Sequence, residues 1–359
     1  MTEAKALPFT LPERPAVTRI RKRDTREFAA PGPLRTQPMR GFEDDFTDIV
    51  DYIIRITNQI WPERQVGRIY DTYDPHCVVY NATGTVRSVE EVVAATTASI
   101  HSAPDGESHH LNVAWSGDED EGFYTSHLGY SLSTNLGDTI YGPATGRRIG
   151  RLFVADCVSR NNLIHTEWLM RDNGASVRQM GYDMHEVAQC LAEAPFREER
   201  IVVAPTRLEG QAPRSLHAAA VETVWDWAVR HFNDIWNMRR FDLVSRDYSP
   251  HVIAHWASGR VANGLRNVQA LIIALNASVP NGAVRVEHVC WSDETDGVIV
   301  AVRWTLEGTT VPGGLLGNAP AGGSVAIMGS SHFRFWGGSI VEEWTVFDEV
   351  GTLVQAYRS

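Results

Sequence analysis

The sequence predicts an α+β protein of two repeated units, each a strongly curved antiparallel sheet wrapped around helices, paired like the halves of a dimer. Three observations carry this. A strand-like stretch ending in aspartate occurs twice, as Ile164-His165-Thr166-Glu167-Trp168-Leu169-Met170-Arg171-Asp172 and as Ile340-Val341-Glu342-Glu343-Trp344-Thr345-Val346-Phe347-Asp348, with Glu-Trp and the Asp at an offset of 176. Earlier landmarks repeat in the same order. Ile60-Trp61 matches Ile235-Trp236, Tyr73-Asp74-Pro75-His76 matches Tyr248-Ser249-Pro250-His251, and Gly84 matches Gly259, all at 175; Trp115-Ser116 then matches Trp291-Ser292 at 176. In each unit helical periodicity comes first and period-2 alternation follows.

Taken in order, residues 1–40 form a basic, Pro-rich arm with nine basic against four acidic residues and six prolines, which prevent a long helix. A solvated tail and an arm laid across an acidic neighbouring subunit are both open readings. The first domain is expected over 41–190. Phe42, Phe46, Ile49, Ile53, Ile56 and Ile60 have helical spacing, acids at 43–45 suit a first turn, and Pro62 ends the helix. Cys77–Tyr80 reads as a short strand, and Ser88-Val89-Glu90-Glu91 is a capping-box start for a second helix. Long strands separated by Gly, Asp and Asn turns fill 108–179. A linker over 191–214 precedes the second domain, 215–359. Each unit is expected to keep its own sheet.

Composition bounds the function. A chain of 359 residues with 43% hydrophobic residues can bury two cores. A net charge of −11 argues against a nucleic-acid-binding body, and no 18-residue apolar run or secretory leader is present, so no membrane partner is expected. Four scattered cysteines suit reduced thiols in a cytoplasmic protein. No His/Cys/Asp/Glu cluster has metal-ligand spacing and no phosphate loop follows the glycine pairs, so neither metal nor cofactor is expected. The expected partners are a small-molecule substrate and further copies of the chain.

The second unit resembles the SnoaL-like proteins, polyketide-cyclase relatives within the cone-shaped nuclear-transport-factor-like superfamily. Arg303-Trp304-Thr305-Leu306-Glu307-Gly308-Thr309, the Gly-rich 313–323 segment, and Phe333-Arg334-Phe335 leading into Ile340–Asp348 carry the resemblance. The first unit keeps the frame through Gly142-Pro143-Ala144-Thr145-Gly146-Arg147, Glu167-Trp168, Asp172 and Gln179-Met180-Gly181. The resemblance spans 42–182 and 216–359. It implies a cone fold, and a superfamily of cyclases, isomerases, epoxide hydrolases, lyases and pure binders.

Asp172 and Asp348 match the position where the cyclase relatives carry a general acid/base. Flanked by Trp168 and Met170, or by Trp344 and Val346, such a carboxylate would be poorly solvated and titrate nearer neutrality. A turn Asp capping the next segment is the plainer alternative. Strand alternation puts Trp168, Met170 and Asp172 on one face, read as the pocket, and leaves Glu167 and Glu343 toward the paired sheet. Tyr80, His127 and Asp156 join the first pocket, and His255, Arg303 and His332 the second, unless they point to solvent or across the interface. Within these sets Asp172, Asp348, Asp156, His127 and His332 are the candidate acid/base groups, and Tyr80, Trp168, His255, Arg303 and Trp344 would hold substrate. The implied activity is cofactor-independent proton transfer beside a carbonyl, giving an aldol-type cyclase, isomerase or lyase. A non-catalytic binding module is the alternative, and an epoxide-hydrolase-like set of Arg151, Asp156 and Asp172 a further one.

Overall fold

The computed structural model describes residues 6–21, 23–28, 34–82, 84–194 and 223–358. Most of the expected linker, and the start of the second domain at 215, lie outside them. In the first unit, α1 (Ile49–Ile60) buries its isoleucine face. It starts later than expected because Asp48 takes the N-cap, its carboxylate accepting the Val50 and Asp51 amides. Phe42 and Phe46 instead pack edge-on against Tyr52, each with centroids 5.0 Å apart. There follow α2 (Arg68–Thr72), β1 (Tyr73–Asn81), β2 (Gly84–Val86) and α3 (Val89–Ser102), which is capped by Ser88. Four long strands come next: β3 (Glu107–Asp118), β4 (Gly122–Thr134), β5 (Arg148–Arg160) and β6 (Leu163–Arg171), then α4 (Asn173–Met180) and α5 (Met184–Glu193).

The second unit repeats this order. After α6 (Val224–His231), a π-helical turn and α7 (Val244–Asp247) come β7 (Tyr248–Trp256), β8 (Arg260–Asn263) and α8 (Leu265–Ser278). The long strands are β9 (Ala283–Glu294), β10 (Gly297–Thr309), β11 (Ser324–Trp336) and β12 (Ser339–Phe347), and α9 (Glu349–Arg358) closes the unit.

The strand order is β2-β1-β6-β5-β4-β3-β9-β10-β11-β12-β7-β8, so each half has the same six-strand arrangement, mirrored about its centre. The expectation of two separate sheets is corrected here, because β3 and β9 meet edge to edge through one antiparallel pair, Trp115 with Trp291. These are the same residue of the repeat, so the junction is self-complementary in the manner of a two-fold interface. One face of each half curves around its helices and buries a core. The opposite faces pack against each other, with Leu128, Val154 and Met170 meeting Ile299, Met328, Trp344 and Val346.

The N-terminal arm is neither a solvated tail nor, where described, free of its own chain. Arg14 donates to the backbone carbonyls of both Trp115 and Trp291, and its guanidinium lies 4.1 and 3.4 Å from their ring centroids. Arg21 pairs with Asp296 and Glu342 of the second unit, and Arg40 with Asp120 of the first. Arg19, Arg21 and Arg40 thus pair with acidic residues of the chain's own two units, while Arg23 and Arg26 pair within the arm.

Candidate active site in the first unit

A cavity of about 180 Å³ opens inside the first unit and continues into an outer chamber of about 690 Å³. Ile53, Ile56 and Ile60 of α1, Val92 of α3 and Phe153 of β5 give the inner cavity an apolar wall. Period-2 alternation on β6 aims Glu167, Leu169 and Arg171 into it. Both chambers share Trp61, Arg151 and Arg171 at the neck.

Glu167 sits deep, accepting a hydrogen bond from the Tyr73 hydroxyl at 3.0 Å. Burial pushes its pKa up, opposed by the Tyr73 bond and the charge of Arg171. Arg171 lies beside Trp61, 5.6 Å from the ring centroid. Burial and the neighbouring Arg151 hold its pKa down at about 10. Arg151 donates to Asn173 Oδ1 at 2.7 Å, and the Asn173 amide donates to Asp348 at 2.5 Å. Asp348 therefore reaches the outer chamber from the second unit. Burial above all, with the charge of Asp172, raises its pKa to about 6, against bonds from the Gly351 amide and Asn173.

His127 lines the inner cavity, with its Nε2 2.9 Å from His110 Nδ1, and His110 Nε2 lies 2.9 Å from Asn58 Oδ1. With Asn58 Oδ1 as acceptor, each imidazole donates through Nε2, and His127 Nδ1 keeps its lone pair. Burial depresses both pKa values, that of His110 to about 4, so the pair is neutral near pH 7.

The remaining sequence-predicted residues are elsewhere, and the reason is instructive. Alternation along β6 has the expected phase, but the face expected to line the pocket is turned to the partner unit; both faces of this sheet are buried, and period 2 does not tell them apart. Trp168 and Met170 face the partner unit rather than the cavity. Tyr80 stacks on Trp168 at 5.7 Å, and His255 stacks on Trp344 at 6.0 Å, the same contact made twice. Asp156 accepts from the Tyr124 and Ser126 hydroxyls and lies 3.5 Å from Arg303, whose guanidinium covers the Trp168 ring at 3.9 Å. His332 bridges Ser126 Oγ at 2.9 Å and Asn112 Oδ1 at 2.5 Å. Asp156, Arg303 and His332 thus belong to a buried polar seam between the units.

His127 and Arg303 are not equivalent either. His127 pairs with Ala155 and Val302 with Ser331, so β4 and β10 align at 175 while β5 and β11 align at 176. One residue is lost in the β9–β10 turn and regained before β11. A one-residue slip reverses the face, which is why His127 meets the cavity and Arg303 the seam.

Asp172 caps α4 through the Ala175 amide at 3.0 Å and accepts the Ser258 and Gly259 amides of the second unit at 2.6 and 3.0 Å. It ties the units together and is not on the cavity wall.

The interior of the second unit is filled. Trp227, Trp236, Trp256 and Trp304 are buried there among Phe232, Phe333 and Phe347. Glu343, the counterpart of Glu167, is enclosed by Tyr248 Oη and Trp256 Nε1, both at 2.8 Å, and by Thr345 Oγ1 at 2.5 Å. Part of the filling is legible as a swap: Gly129 faces Phe153 across β4–β5, whereas Trp304 faces Gly329 across β10–β11. In each pair the glycine makes room for the aromatic ring.

Residues 227–356 match the family model of SnoaL-like polyketide cyclases. Similar solved structures include one from Jannaschia sp. CCS1 assigned as a SnoaL-like polyketide cyclase (21% identity, TM-score 0.29), covering 33% of this chain and 81% of that one. TsrD from Streptomyces laurentii is 17% identical (TM-score 0.33; 37% and 94% covered), and IdmH from Streptomyces antibioticus 20% (TM-score 0.30; 35% and 94% covered). No curated protein matches. The family match thus covers the second unit, and the first unit repeats that unit's strand order.

Proposed function

We propose that the chain is a cyclase- or isomerase-like enzyme whose working site is the first-unit cavity, with Glu167 as the group that moves the proton. The observation carrying this is the contrast at one repeated position. Glu167 is a buried carboxylate with one protein donor that fronts an open cavity, while Glu343 has three donors and sits in a unit whose interior is packed with aromatic side chains. A raised pKa makes the ionised Glu167 a stronger base toward a carbon acid. In the step supported here, a C–H bond beside a carbonyl breaks, its proton goes to Glu167, and the electron pair forms an enolate. Ser108 and Ser131 line the cavity, and their hydroxyls can donate to the developing oxyanion. Return of the proton at another carbon completes an isomerisation; attack of the enolate carbon on a second carbonyl, followed by protonation of the alkoxide, completes an aldol closure.

The second unit supports a non-catalytic role for itself, since its interior holds side chains where a substrate would sit. The epoxide-hydrolase-like set finds no geometric support: Asp156 is on the opposite face from Arg151, and Asp172 is consumed in capping. The test is α-deuterium exchange of small cyclic ketones and diketones in D2O, followed by NMR. Catalysed exchange that disappears in Glu167→Gln is expected; exchange unchanged in that variant refutes the assignment.

A further inference from the structure

Two guanidinium groups share one wall of the cavity neck. Phe153 on β5 is the register partner of Arg171 on β6, so Arg151, two residues along β5, is its diagonal neighbour on the same face. Among the described residues the Arg171 guanidinium makes no hydrogen bond or ion pair, and it lies over the face of Trp61. Glu167 shares its strand and face but does not come within ion-pairing distance. Arg151 is satisfied only by a neutral amide, that of Asn173. Asp348 approaches Arg151 through that amide and stands at the outer rim, not between the two arginines. Glu167 acts on Arg171 only from beyond ion-pairing distance, so two half-buried cations stand side by side with no carboxylate paired to either, which is unfavourable. The missing negative charge has a place waiting, planar and able to accept from both forks.

We infer that this neck binds a carboxylate, so that the substrate is a small, largely apolar molecule carrying a carboxylate as well as the reacting carbonyl. The inference rests on the first-unit cavity being the working site. The carboxylate lies between Arg151 and Arg171, the hydrocarbon runs along Ile53, Ile56, Ile60 and Phe153, and the carbon acid is presented to Glu167 below. Because the anchor is spatially separate from Glu167, binding and proton transfer can be lost independently.

The depressed titration of Arg171 comes first from burial and then from the cation of Arg151 beside it, with Glu167 opposing both. A bound anion reverses that effect, so affinity for the anion does not fall until Arg171 deprotonates well above neutral pH.

The probes are trans-cinnamate and its neutral isostere cinnamamide, titrated against the full chain at low salt. Trp61 fluorescence and ligand-observed NMR are the readouts. Cinnamate is expected to bind at least about tenfold more tightly than the amide, a difference of roughly 1.4 kcal/mol. The preference should weaken with added salt, vanish in Arg171→Gln, and largely survive in Arg171→Lys, which keeps the charge. Glu167→Gln should keep the preference intact, so loss of exchange activity with retained cinnamate selectivity separates the anchor from the proton-transfer group. Equal affinity for acid and amide overturns the inference, as does undetectable cinnamate binding, or a preference that persists in the Arg151→Gln/Arg171→Gln double variant. If the preference holds while Glu167→Gln remains fully active, the anchor stands and the catalytic assignment falls.

Discussion

The same chemical change at one repeated position should have opposite consequences in the two units. In Glu167→Gln and Glu343→Gln a buried carboxylate becomes an amide of equal size. Both carboxyls have pKa values raised by burial, so relief of desolvation favours the amide at both positions and largely cancels in the comparison. What differs is the number of donors. Glu167 accepts one bond, from Tyr73, which the amide oxygen of Gln can still accept. Glu343 accepts from Tyr248, Trp256 and Thr345, and a Gln turns its NH2 toward at least one of these buried donors. A buried donor left unmatched costs about 1–3 kcal/mol. Urea denaturation followed by tryptophan fluorescence should therefore place Glu343→Gln below Glu167→Gln in stability by about that amount. Activity should invert the ranking: Glu167→Gln loses roughly 10²–10⁴-fold in α-proton exchange, the usual scale of general acid/base catalysis, and Glu343→Gln keeps its rate per folded molecule. Equal stabilities, or comparable loss of exchange in Glu343→Gln, would show that the two positions have not diverged as the packing indicates.

Three further outcomes follow from the geometry. Asp172→Asn should cost about 1–3 kcal/mol in urea denaturation, because one amide oxygen cannot serve the three backbone donors Ala175, Ser258 and Gly259, while exchange activity per folded molecule is retained. Arg14→Ala should destabilise by about 2 kcal/mol or more through two lost charge-assisted bonds and two ring contacts, and Arg14→Lys should not restore this, since a point charge cannot span both carbonyls. Glu294 accepts the Ile20 and Arg21 amides, and burial raises its pKa to about 7, so the folded state binds its proton more tightly than the unfolded chain does. Its contribution is full below about pH 4.5 and is lost as pH rises toward 7. Relative to wild type, Glu294→Gln should thus gain up to roughly 3 kcal/mol between pH 4.5 and 7.5 in paired denaturation curves.

The sequence made the repeat legible because landmarks such as Ile60-Trp61 and Tyr73–His76 depend on local turns and helix ends, which sequence spacing records directly. The strand-end Asp and the phase of β6 were legible for the same reason. What period 2 cannot say is which buried face meets helices and which meets another sheet. For that reason Trp168, Asp156 and His332 are expected in the cavity and Glu167 outside it, the reverse of their places in the structure. The offset of β10 was hidden by two compensating single-residue changes that leave the flanking landmarks in place. The packed interior of the second unit does have a signal in the sequence. Trp256 stands where the first unit has Asn81, and Trp304 where it has Gly129, so volume was added to the second interior at positions that line or clear space in the first.

A filled second cone explains why the two units are kept in one chain. The first unit's Asp172 is satisfied by the Ser258–Gly259 turn, and the outer chamber borrows Asp348 and its bond to Asn173. Around the edge junction, Arg14 holds both tryptophans of the repeat, while the seam joins Asp156 of one unit to Arg303 of the other. The seam contact uses unlike residues at positions that correspond in the repeat: Asp156 stands opposite His332, and Leu128 opposite Arg303. Two identical units could not make that ion pair. The second unit's closed interior gives it a rigid core, and that core holds the cap of α4 and the rim of the neck against which Arg151 is oriented. An open cavity weakens the first unit's packing, and the loss is offset from outside by a neighbour that no longer needs a cavity of its own.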